Sequence, residues 1–116
     1  MDGGDVTVVE VPGISQIPIA AQYAAESARF DAVVCLCSLR ATVLPVPHVD
    51  ITLSAVMHTL QIVTSQTGVP FTLGVLTADA VEPQTTGPVE GSASKGYDAA
   101  KAALEMVAVI RRLRST

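Results

Sequence analysis

Hydrophobic and polar positions fall into two kinds of block along this chain. Short runs rich in β-branched residues read as strands, and longer runs with apolar residues three and four apart read as helices. Asp5-Val6-Thr7-Val8-Val9-Glu10 lies between glycine and proline and predicts a first strand. Residues 17–29 are alanine-rich, with Pro18 at a first-turn position, and predict a helix. Residues 30–36 form an unbroken apolar run, the pattern of a strand covered on both faces. A proline-bearing loop is expected over 38–47, with Asp50 capping a helix that runs to about Gln66. Leu53, Val56, Met57, Leu60 and Val63 recur on one side of that helix, and Thr67-Gly68 ends it. Residues 69–76 predict another strand buried on both faces, and 77–91 a polar loop. A last helix is expected from Ser92–Ser94 to about Leu113, with Tyr97, Ala100, Leu104, Val107 and Ile110 or Leu113 inward. Lys101 and Glu105 stand four apart on its outer face.

The order β-α-β-α-β-α predicts an α/β fold with consecutive parallel strands and right-handed crossovers. At 116 residues the chain is long enough for one small domain, spanning 1–116. Apolar residues make up 49% but aromatics only 3%, so the core must be built from Ala, Val, Leu and Ile.

The net charge of −4 argues against nucleic acid as a partner, which calls for a basic face. Arg111, Arg112 and Arg114 cluster where they complement the negative end of the last helix. Cys35 and Cys37 are two apart and share one face of a strand, too close in sequence for an ordinary disulfide, and read as buried reduced thiols. No metal-ligand spacing, basic leader or membrane-length apolar run is present, so a cytoplasmic protein is expected.

Polar chemistry gathers where strand-like runs meet helix-like runs, the edge of an α/β sheet where ligands bind. Pro12-Gly13 is a tight turn, with or without a ligand against it, and Gly13 could take a positive φ there. Gln16 offers both a donor and an acceptor. His48 precedes a helix start and could move a proton near neutral pH, or simply lie at the surface. His58 lies on a helix face and reads as solvated. Gly91-Ser92-Ala93-Ser94-Lys95-Gly96 opens the last helix, either as an anion site or as an ordinary cap.

Taken together, these motifs resemble the lumazine synthase family of riboflavin biosynthesis. The matching text is Val11-Pro12-Gly13 with Ile17-Pro18-Ile19-Ala20-Ala21, then Phe30-Asp31-Ala32-Val33-Val34 and Pro47-His48-Val49-Asp50. It continues through Thr67-Gly68-Val69-Pro70, Gly74-Val75-Leu76-Thr77-Ala78-Asp79 and Lys95-Gly96-Tyr97-Asp98-Ala99-Ala100. The resemblance implies a flavodoxin-like three-layer α/β/α fold assembled as pentamers or icosahedral shells. It implies a transferase that condenses a ribitylamino-pyrimidinedione with a dihydroxybutanone phosphate, using neither metal nor organic cofactor. By the same resemblance His48 is the proton-transfer residue, and Lys95 and Asp98 lie near the phosphate. Gly13, Ile14, Ser15 and Gln16 receive the pyrimidine and ribityl chain, with Arg40, Thr42 and Leu73 also at the substrates.

The chain departs from the family pattern at several of these places. The family's first strand and helix have no counterpart, so the fold is expected to be truncated at its N-terminus. Gln16 stands where a glutamate is usual, Leu73 where an aromatic stacks, and Gly87 where an arginine binds phosphate. The loop from Arg40 to His48 is longer and lacks a glycine. Losing the arginine alone should weaken phosphate binding roughly tenfold or more. The resemblance therefore implies either a synthase of reduced activity, or a relative serving as an oligomeric scaffold or as a binder of flavin- or pteridine-type ligands.

Overall fold

The computed structural model describes residues 5–40, 46–78 and 92–116. After a single 3-10 turn at Ile14–Gln16 come helix α1 (Ile17–Glu26), strand β1 (Val33–Arg40), helix α2 (Val46–Thr67), strand β2 (Phe71–Ala78) and helix α3 (Ser92–Arg114). The strands pair in parallel, from Val33 opposite Phe71 to Arg40 opposite Ala78. Parallel neighbours need a covering crossover, and α2 provides it.

Alternation along the strands sorts side chains to two faces. Val33, Cys35, Cys37, Phe71 and Leu73 pack with Ile17, Ala21, Val56 and Leu60, which puts α1 and α2 on one face. Leu60 is 1% exposed and centres this layer. On the other face α3 lies against β2. The Thr72 hydroxyl donates to the Ala99 carbonyl at 2.8 Å, and Gly74 sits beneath Lys95 and Ala99. Contacts thus pass from Ala99 back to Lys95 as β2 advances, so α3 runs against the strand and its first turn lies toward the strand's carboxyl end. This is an open parallel sheet between helical layers, the α/β architecture of the flavodoxin-like type.

Residues 5–10 are not a strand, contrary to the sequence reading. Strand structure needs a ladder, and among the described residues β1 pairs with β2 alone. Val8 and Val9 are 83% and 72% exposed.

Helix α1 stops at Glu26, short of the expected Arg29. Ala28 turns into the left-handed region at φ 61°, and the Ser27 hydroxyl donates to the Ala24 carbonyl at 2.7 Å. Phe30 precedes the strand, with the Arg29 guanidinium 5.2 Å from its ring centroid. β1 instead continues through Ser38 to Arg40, because its partner keeps pace to Ala78.

Helix α2 begins at Val46, so Pro47 and His48 occupy its first turn and Asp50 is inside the helix rather than its cap. Proline is well tolerated in a first turn. Gly68 closes this helix at φ 76°, and its N–H donates to the Thr64 carbonyl at 2.8 Å.

Helix α3 is rotated from the expected orientation. Ala99 and Ala103 are buried, with Gly96, Val107 and Ile110 half-buried, whereas Tyr97, Leu104 and Leu113 are exposed. Small side chains let α3 approach the narrow sheet more closely than a tyrosine could. Lys101 and Glu105 remain outside; the salt bridge among the described residues is Arg111 to Asp31, at 3.6 Å. Arg111, Arg112 and Arg114 lie in the last turn, as expected.

Candidate functional site

Both strands end in register, at Arg40 and Ala78, and this carboxyl edge organises the candidate residues. Helix α2 starts a short connection after Arg40, and α3 runs back from the same edge. Helix starts present backbone N–H groups without intrahelical acceptors, which suits an anionic or oxygen-rich ligand.

The turn before α1 is built differently from the sequence expectation. Gly13 is extended, at φ −167° and ψ 175°, so it does not use a positive φ. Its lack of a side chain serves a close approach instead. A methyl group there would stand 3.1 Å from Gln16 Oε1, and the Gln16 N–H donates to the Gly13 carbonyl at 3.1 Å. Ile14 packs against the core rather than facing solvent. Ser15 and Gln16 are exposed, so these two carry the turn's polar groups outward. The turn touches α2, which brings it to the α1–α2 side of the sheet.

Lys95 and Asp98 lie in the opposite layer, both exposed on the first turns of α3. Their height is set from beneath. A methyl group on Gly74 would come within 2.8 Å of Leu36 Cδ2 and 3.4 Å of the Lys95 carbonyl oxygen. The absent side chain at Gly74 is what lets the start of α3 settle onto β2.

Leu73 is half-buried on the α2 face and lines a shallow groove with Leu53, Met57 and Val75. Ser54, His58 and Gln61 form the polar rim of that groove. His58 is exposed, as the sequence implies, and the spacing of 54, 58 and 61 on one helix face is the signal that joins it to Ser54 and Gln61. Within one chain, therefore, the turn and Leu73 lie on one side of the sheet and Lys95 with Asp98 on the other. Of the remaining candidates, Arg40 ends β1 and His48 lies in the first turn of α2; the side chains of both, and Thr42 entirely, fall outside the described residues.

The two thiols share the inner face of β1. Burial, and secondarily the neighbouring Cys37, push the Cys35 thiol up to about 11, and burial raises Cys37 as well. Such thiols are poor nucleophiles and belong to the core. Among the described residues, no three His, Cys, Asp or Glu side chains are grouped to hold a metal ion. No helix among them is long and apolar enough to cross a membrane.

Comparison with known proteins adds two findings. Residues 1–111 match the family described as 6,7-dimethyl-8-ribityllumazine synthase. Over 113 residues the chain is 35% identical to a 6,7-dimethyl-8-ribityllumazine synthase of Syntrophus aciditrophicus (strain SB), an alignment covering 97% of this chain and 71% of that protein.

Proposed function

The chain belongs to the 6,7-dimethyl-8-ribityllumazine synthase family, and on that premise we propose that it condenses 5-amino-6-(D-ribitylamino)uracil with 3,4-dihydroxy-2-butanone 4-phosphate. The amine of the pyrimidine attacks the butanone carbonyl and water leaves, giving a Schiff base. Phosphate is then eliminated, the ribityl-bearing nitrogen closes the ring, and a second water departs. Each step moves a proton, and His48 is the residue assigned to that work. Holding two substrates in one orientation supplies much of the remaining acceleration. Ser15 and Gln16 hydrogen-bond the pyrimidine and ribityl side, while Lys95 and the N–H groups opening α3 receive the phosphate.

The observation that supports this reading is the shared carboxyl edge, where the ends of β1 and β2 meet the starts of α2 and α3. Because the turn and Lys95 lie on opposite faces, a full site draws on neighbouring copies, and we take the protein to be a homo-oligomer, pentameric or larger. Ile51 and Ile62 share the outer side of α2 and are 67% and 43% exposed, apolar side chains available for such contacts. We take residues 1–116 to fold as one domain and to act in the cytoplasm.

An absorbance assay for the lumazine product, with both substrates supplied, tests the proposal. Product above the uncatalysed rate is expected, and a rate within about a hundredfold of a full-length family member would exclude a purely structural role. Absence of product overturns the reading. It would leave the second one, a scaffold or flavin-type ligand binder, which the replacements at Gln16, Leu73 and Gly87 favour.

A further inference from the structure

Helix α3 meets the sheet through small, apolar groups. Ala99 and Ala103 are buried, and a methyl group on Gly74 would stand 3.5 Å from Ala99 Cβ. Leu36 of β1 reaches under Gly96, with its Cδ1 3.9 Å from where a side chain there would begin. Contacts of this kind hold a helix down but are non-directional, so they resist sliding along its axis poorly. The half-buried Thr72 supplies what they lack. Its hydroxyl donates to the Ala99 carbonyl at 2.8 Å, and among the described residues this is the one side-chain hydrogen bond joining elements distant in sequence. We infer that Thr72 is a positioning residue: this bond fixes α3 along β2 and thereby sets where Lys95 meets the phosphate of the substrate.

The geometry makes the link direct. A hydrogen bond weakens steeply once its length and angle leave a narrow range, so it resists the sliding that apolar contacts allow. Thr72 branches at Cβ, which limits its rotamers and aims the hydroxyl at little entropic cost. Ala99 follows Lys95 by one turn, about 6 Å along the axis. A shift at Ala99 is therefore passed to Lys95 in full, and because α3 runs against β2 it carries Lys95 along the strand. The Arg111–Asp31 pair restrains the far end of α3, but at 3.6 Å, with side chains 71% and 77% exposed, it holds position loosely. The inference rests on the reading of Lys95 and the opening of α3 as the phosphate side of the site.

Inorganic phosphate is a probe that needs no turnover. Its dissociation constant is read from the amide NMR shifts of Lys95 and Gly96, beside kcat and the KM of each substrate. Thr72→Val keeps the side chain's shape and removes its donor. It should raise the phosphate constant and KM for the butanone phosphate about three- to tenfold, the partial loss of one charge-assisted contact. KM for the pyrimidine and kcat should stay within about twofold. Thr72→Ser keeps the hydroxyl without the methyl that steers it, and should fall between. Thr72→Ser against Thr72→Ala repeats the comparison at smaller size, for the case in which valine crowds the helix. Thr64→Val is the control. It removes a comparable bond, from the Thr64 hydroxyl to the Val69 carbonyl at 3.0 Å just before β2, and should lower the thermal midpoint with phosphate binding unchanged. Phosphate binding that is the same in the native chain and Thr72→Val overturns the inference and leaves the proposed function standing. An equal loss in Thr64→Val also overturns it, because the effect would then be one of stability alone. A native chain whose Lys95 and Gly96 amides ignore phosphate overturns the phosphate assignment itself, and the inference falls with it.

Discussion

Gly74 lies directly beneath Lys95, close enough that a methyl group on the glycine would stand 3.4 Å from the lysine carbonyl oxygen. The closest atom to that methyl, at 2.8 Å, belongs to the Leu36 side chain, which is 57% exposed and free to swing aside. Gly74→Ala should therefore cost no more than about 1 kcal/mol. Gly74→Val presses on the helix backbone itself and should cost about 1–3 kcal/mol. It should also lift the first turn of α3, raising KM for the phosphate-bearing substrate more than it lowers kcat. Urea denaturation and steady-state kinetics on both variants check the contrast.

One turn further along α3, Thr72 ties the sheet to Ala99. Thr72→Val keeps the shape and removes the hydroxyl. The Ala99 carbonyl keeps its place in the helix ladder, so the loss should be about 0.5–1.5 kcal/mol. Thr72→Ser should recover part of it, and thermal midpoints of the three proteins decide the matter.

Turnover, where present, should respond to His48. His48→Ala is expected to slow lumazine formation by about 10²–10⁴-fold, the usual span for losing a general acid–base group. Native mass spectrometry should show the same oligomer for both proteins. An unchanged rate would take His48 out of the mechanism.

The buried thiols make stability depend on alkaline pH. Cys35 is raised from 9.0 to about 11 in the folded protein, so between those values the native state holds a proton that the unfolded chain has released. Stability is full below pH 9 and declines as pH climbs toward 11. The loss is on the order of 2 kcal/mol from this thiol, with Cys37 acting in the same direction. Denaturation midpoints at pH 8 and 10.5 should differ more for the native chain than for Cys35→Val. Equal differences would remove Cys35 as the cause.

The long helices and the two paired strands were legible because their signals are redundant. Val56, Leu60 and Val63 mark one buried side of α2, and Thr67-Gly68 its end, before any packing is considered. The first predicted strand failed for the opposite reason: residues 5–10 have strand composition, but a strand also needs a neighbour, and that is a property of the sheet. The buried face of α3 is not legible from its large apolar residues, because close packing on β2 puts small ones inward: Ala99 lies against Gly74, and Ala103 is buried one turn on. At the candidate site, the edge of the sheet was readable from junction chemistry. The separation of Gln16 from Lys95 by the thickness of the sheet was not, because motif order along a chain carries no information about layers.

Ala28 offers a different kind of consequence. It holds φ 61° just where α1 gives out, and for a residue with a Cβ that conformation costs roughly 1–2 kcal/mol. The chain thus carries a flaw at the joint where α1 gives way to the segment leading into β1. Trimming one carbon atom there, by Ala28→Gly, should relieve the crowding and leave a sturdier protein whose surface chemistry is otherwise untouched.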